Sequence, residues 1–198
     1  MKEKVILVLL ILFLSAPVVK GENAEKPLVV TTIAPLASIV EDAFNGSVNV
    51  VYIIPPGVDP HEYQLTTEQI GLLKKADVIV TTGGHLPIEK KIAELKGEGL
   101  FSGKVLLIDD YKREGFRYLR EHWYSGKDNP HGVWLDPTNA IAIAKATEKA
   151  LEETDPANAE EYRSELKCFE ERVEAIVKSY RALAPSNATA VIEMPPDQ

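Results

Sequence analysis

Ile53-Ile54-Pro55-Pro56-Gly57-Val58-Asp59-Pro60-His61-Glu62-Tyr63-Gln64 runs from the end of an apolar strand, through a stiff turn, to a single histidine. Pro60 fixes its own φ and pushes Asp59 out of the helical region, so His61 arrives on a restrained backbone. Thr66 stands three residues before Gln69, the capping-box spacing, and predicts a helix from Thr67 to about Lys75. A histidine between a strand end and a helix start suits metal ligation, since neutral imidazole is the commonest nitrogen ligand. A solvated loop histidine is the plain alternative.

Outward from that stretch, strand and helix patterns alternate. Leu28-Val29-Val30-Thr31-Thr32-Ile33 is rich in β-branched residues, and Leu36, Ile39, Val40 and Ala43 follow Pro35 at helical spacing. Val48 to Ile54 gives the second strand. Val78-Ile79-Val80-Thr81-Thr82 gives the third, an apolar run of the kind buried in parallel sheets. Gly83-Gly84 break that run, and a third helix is expected from Leu86 to Leu95. A fourth strand, Lys104 to Ile108, is expected to stop at Asp109-Asp110. The fold class is therefore α/β, a parallel-sheet lobe flanked by helices. Ligands of such sheets gather beyond the carboxyl ends of the strands, the edge on which the His61 turn and the Gly83-Gly84-His85 turn fall.

From Tyr111 to Gly132 the periodicity lapses, which reads as a long loop, functional or mobile. The counterpart to the first motif comes at its end: Asn129-Pro130-His131-Gly132-Val133-Trp134-Leu135-Asp136-Pro137. Again proline precedes histidine, and Asp136 and Pro137 are a natural N-cap and first residue for a helix running to about Glu153. The longest element is expected over Pro156–Ala184. There Tyr162, Leu166, Phe169, Val173, Ile176, Tyr180 and Leu183 form one apolar stripe over roughly 40 Å. Cys168 lies within this pattern and is expected to be a packed thiol.

The two motifs, Asp59-Pro60-His61-Glu62-Tyr63 and Pro130-His131-Gly132-Val133-Trp134-Leu135-Asp136-Pro137, in this order and over this distance, resemble the metal-specific solute-binding proteins of ABC importers, the zinc and manganese group. The resemblance implies a first α/β lobe, a long helix linking it to a second lobe, and His61 and His131 as metal ligands. It also implies a third histidine at the end of the strand that opens the second lobe, and a carboxylate deeper in that lobe. In this sequence Met194 occupies the histidine's place, and a thioether is a poor ligand for zinc or manganese. The neighbouring Glu193 offers oxygen, so the expected metal set is His61, His131 and Glu193. Glu62 is read as solvated. His85 and His122 are assigned satisfied polar roles rather than ligation, and Glu89, which matches an acidic position of the family, a structural one.

The start of the chain reads as an export signal. Two lysines among the first four residues, an apolar run from Val5 to Leu14, and a small, polar stretch to Gly21 are too short for a stable membrane span. No cysteine follows the run to carry a lipid anchor. Losing Lys2, Lys4, Lys20 and Glu3 with residues 1–21 takes the net charge from −8 to −10, with no dense basic patch for nucleic acid. One cysteine excludes an internal disulfide. The expected organisation is a signal peptide over 1–21 and a metal-binding lobe over 22–135. A flanking helix over 136–155 and a linking helix over 156–184 come next, and residues 185–198 begin a truncated second lobe.

The leading functional reading is an exported protein, periplasmic or at the cell surface. It captures a divalent ion, Zn(2+) first and Mn(2+) second, for an importer's permease, and is not an enzyme. The alternatives are a truncated chain of that kind with weakened binding, and a zinc hydrolase. A hydrolase would keep a coordination position for water beside a general base, and no His-Glu-x-x-His helix is present.

Overall fold

The computed structural model describes residues 25–120 and 128–183. Four parallel strands form the sheet: β1 (Leu28–Ile33), β2 (Asn49–Ile54), β3 (Val78–Val80) and β4 (Lys104–Leu106), in the order β2-β1-β3-β4. β1 is central, with Val30 opposite Val51 on one side and Ile79 on the other. Each crossover carries a helix: α1 (Ala34–Phe44), α2 (Thr67–Leu73) and α3 (Pro87–Gly97). Val29, Val30, Val78, Ile79 and Val80 are all fully buried, as expected of a sheet covered on both faces. Each such side chain contributes about 1.5–3 kcal/mol relative to exposure.

The two covers are distinct cores. On one face Leu36, Val40 and Phe44 of α1 pack with Ile143 and Leu151 of α5 (Pro137–Thr154) and Tyr162 of α6 (Ala159–Leu183). On the other, Leu73 of α2 packs with Ile88, Ile92 and Leu95 of α3. The chain leaves β1 for β2 on one side and crosses to β3 on the other, so the strand order reverses beside β1. That is where open α/β sheets leave a crevice beyond their carboxyl ends.

Two local expectations are corrected. The fourth strand ends at Leu106, and Ile108–Arg113 is a short helix, α4. The Leu107 backbone N–H donates to Asp110 Oδ2 at 2.8 Å, so Asp110 caps a helix instead of merely stopping a strand, and Asp109 lies in its first turn. Beyond it, Leu119–Arg120 (β5) pairs antiparallel with Asp128–Asn129 (β6), giving the expected loop a small hairpin whose second strand leads to His131.

The long helix is present, entered through a 3-10 turn at Pro156–Asn158. Its stripe divides in two. Tyr162, Leu166 and Phe169 are buried on the lobe, whereas Ile176, Tyr180 and Leu183 are 55%, 70% and 80% exposed. Arg172 fastens the helix near the dividing point, donating to the Asp42 carbonyl at 2.7 Å and to its Oδ1 at 3.0 Å. Cys168 is exposed, not packed. It sits beside Phe169, and at 3.6 residues per turn the neighbour of a buried position is rotated out of the interface. Residues 185–198, where a further strand was expected, lie outside the described residues, as do residues 1–21.

Candidate metal centre

Asp59-Pro60-His61 and Asn129-Pro130-His131 fold as the same device. The backbone N–H of His61 donates to Asp59 Oδ1 at 2.8 Å, and that of His131 donates to Asn129 Oδ1, also at 2.8 Å. An Asp or Asn side chain that bonds two residues on mimics a backbone turn, and the proline between supplies the fixed φ. Both histidines are thus set by turn chemistry written into three residues.

Each turn is also anchored downstream. Gln69 completes the capping box with Thr66, at 3.1 and 3.2 Å, and its Nε2 donates to the Ile53 carbonyl at 3.0 Å and the Tyr63 hydroxyl at 2.7 Å. One side chain therefore ties the end of β2, the His61 loop and the start of α2. On the other side Gly132, at φ +63°, turns the chain into Val133–Leu135. The fully buried Asn139 amide then donates to the carbonyls of Val133 at 3.0 Å and Arg117 at 2.9 Å. Asp136 caps α5 through Thr138 N–H at 2.8 Å, as its position in the sequence predicts.

These turns bring His61 and His131 together, ring centroids 5.3 Å apart. His85 joins them, at 5.2 Å from His131 and 6.0 Å from His61. One ring nitrogen from each lies within 4.8 Å of the others; His61 is exposed and the other two are half-buried. A point central to such a triangle is no more than about 2.8 Å from each nitrogen, against about 2.0–2.1 Å for a zinc–imidazole bond. Small side-chain rotations would close the difference. Nitrogen donors of this kind can hold a borderline-soft divalent ion.

His85 stands on a loop fixed from beneath. Glu89, fully buried in the first turn of α3, accepts from Thr32 Oγ1 at 2.7 Å, Thr82 N–H at 2.6 Å, Thr82 Oγ1 at 2.8 Å and Gly84 N–H at 3.0 Å. Thr82 Oγ1 also lies 2.9 Å from His85 Nδ1. The neighbouring Thr81 is held by Tyr111, whose hydroxyl donates to the Thr81 carbonyl at 2.7 Å and accepts from its N–H at 3.1 Å. Burial first, and the Glu89 charge second, push the Tyr111 phenol far above its ordinary range, so it remains a hydroxyl.

Of the residues singled out in the sequence, His61 and His131 converge. Glu193 and His122 fall outside the described residues, and Glu62 is exposed and belongs to no ligand cluster among them. His85 has the polar partner expected of it, but also stands beside the other two histidines. Its signal was the Gly83-Gly84 turn, which comes after β3 on the same sheet edge as the His61 loop.

The sequence model of a family described as zinc-uptake complex component A, periplasmic (ZnuA), matches residues 29–192. The chain belongs to that family. Among curated relatives, the metal ABC transporter substrate-binding lipoprotein ScbA of Streptococcus cristatus is 30% identical over 168 residues, covering 79% of this chain and 51% of that protein. The iron-binding protein YfeA of Yersinia pestis is 30% identical over 160 residues, covering 79% and 48%. The manganese ABC transporter substrate-binding lipoprotein PsaA of Streptococcus pneumoniae is 30% identical over 187 residues, covering 85% and 57%.

The chain spans about half the length of the curated relatives it matches. Solved structures share the fold. The Mn-bound periplasmic metal binding protein from Candidatus Liberibacter asiaticus superimposes with a TM-score of 0.63 at 23% identity, covering 79% of this chain and 56% of that one. A crystal structure of ZnuA gives 0.62 at 24% identity, covering 78% and 57%.

Proposed function

We propose that this chain carries the metal-capturing lobe of an exported solute-binding protein that passes a divalent ion to an ABC-type importer. The observation that carries the reading is the convergence of His61 and His131, on paired Asx-Pro-His turns, at the carboxyl edge of the sheet. Membership of the ZnuA family and the metal-transport names of its relatives support it. The relatives' names span manganese and iron, and the family's description zinc, so the choice of ion rests on the donors in this chain. Imidazole favours zinc and oxygen favours manganese. Zinc is therefore the first ion and manganese the second, with Glu193 as the residue that would add an oxygen.

In this reading residues 1–21 direct export, 22–135 form the lobe, 136–155 flank it, 156–184 link it onward and 185–198 begin a second lobe. Rigid turns suit a carrier, because most of the ordering entropy is spent before the ion arrives. No residue is assigned a catalytic role. Competition titration of the purified chain with zinc and manganese tests the proposal. One zinc bound per chain, more tightly than manganese, is the expected result; failure to bind either ion contradicts it.

A further inference from the structure

We infer that His85 is a third metal ligand, held in its ligating tautomer by a Glu89–Thr82 hydrogen-bond relay, and that it biases the site toward zinc over manganese. The inference rests on the metal-binding reading above and adds to it a residue on a different loop.

The first support is position. His85 follows β3, whereas His61 follows β2 and His131 follows the β5–β6 hairpin, so three independent segments deliver one imidazole each to one point. All three ligand nitrogens come from this one lobe, within 4.8 Å of one another. Gly83 and Gly84, at φ +111° and +92°, make the turn that lifts His85 there. A side chain is strained at such φ values, and a Cβ on either glycine would also press against Ile108 or Leu107 at 3.3 Å.

The second support is the relay. A fully buried carboxylate is costly unless donors surround it, and Glu89 has four hydrogen bonds, two to each oxygen. Two of them are backbone N–H groups of the loop itself, Thr82 and Gly84. The Thr82 hydroxyl has a single proton, which it gives to Glu89 Oε2. Toward His85 Nδ1, at 2.9 Å, it must then accept. Nδ1 therefore carries the imidazole's proton and Nε2 its lone pair. Metal-bound histidines are commonly fixed through the other ring nitrogen in this way, and loss of such a support costs about 10–100-fold in affinity. Glu89 and Thr82 are positioning residues, acting on the ion only through His85.

A third imidazole alters selectivity as well as affinity. Zinc gains from each nitrogen donor, whereas manganese favours oxygen. Three nitrogens leave one position of a tetrahedron for a further group.

X-ray absorption of the zinc-loaded chain, with calorimetric titration of zinc and manganese into variants, tests the inference. The expected spectrum fits three imidazoles, falling to two in His85→Ala. Zinc affinity should drop more than tenfold in His85→Ala, and about 10–100-fold in Thr82→Val, which keeps the buried volume and removes the hydroxyl. Manganese affinity should change far less. Two imidazoles in the parent spectrum would overturn the inference, as would unchanged zinc affinity in His85→Ala while His61→Ala abolishes binding; both leave the metal-binding reading intact. Unchanged zinc affinity in both His85→Ala and His61→Ala would overturn that reading itself. Urea unfolding of each variant verifies the fold. If His85→Ala is unfolded, His85→Gln and the parent spectrum still decide the question.

Discussion

The imidazoles of His61 and His131 lie 5.3 Å apart at the carboxyl edge of the sheet, although four strands, β3 to β6, and three helices intervene in the chain. Each is placed by an Asp or Asn two residues earlier, and the sheet then brings the two turns together. The geometry of the pair therefore depends on the turns and on what anchors them.

Gln69 is the anchor of the His61 turn. Gln69→Ala removes the capping box and the bonds to the Ile53 carbonyl and Tyr63 hydroxyl. Loss of the cap should cost about 0.5–2 kcal/mol in urea unfolding. Zinc affinity should fall with it, because the loop carrying His61 gains freedom that binding must remove. An affinity equal to the parent's would show that the turn alone suffices.

Gly103 is fixed by close approach. A Cβ there would run into the Ala76 carbonyl oxygen, next to the Lys104 N–H bond to the Asp77 carbonyl at 2.8 Å that starts β4. Gly103→Ala should destabilise the lobe by about 1–3 kcal/mol, the usual cost of overpacking, as read from the urea midpoint. Gly99→Asn, at φ +76° with open space around it, should cost less.

Glu148 gives stability a pH dependence. It is 7% exposed, and burial, then Glu152, raise its carboxyl to about 7, against the lowering influence of Arg163 on α6 and Lys149 on its own helix. The folded state thus favours the protonated acid. The stabilising contribution is full below about pH 4.5 and is lost as pH rises through about 7. Urea midpoints should show the parent losing stability relative to Glu148→Gln between pH 5 and 8, on the order of one titrating group. A constant difference would contradict this.

Much of the fold was legible because the signals were local. β-Branched runs marked the strands of the sheet, and Thr66 with Gln69 marked a helix start that the structure keeps. What was missed depended on context. Asp109-Asp110 reads as a breaker until the Leu107 N–H is seen pointing at Asp110. His85 reads as a polar loop residue, since nothing near it in sequence says that two other loops end beside it. The apolar stripe of α6 was legible along its whole length, yet only the lobe's own extent decides that cover stops short of Ile176.

Cys168 illustrates the same limit and carries a prediction. Its sequence neighbours Leu166 and Phe169 are buried, but the thiol faces outward. It should react with a thiol reagent in the native protein nearly as fast as after unfolding. Strong protection in the native state would place it in an interface.

The most direct measurement of the central claim is calorimetric titration of zinc into the parent chain and into the His61→Ala/His131→Ala double variant. One zinc should bind the parent, and binding to the double variant should be lost. The loss should exceed the about 10–100-fold typical of removing a mere supporting contact. A double variant that folds and binds zinc as the parent does would contradict the assignment of this sheet edge as the metal centre.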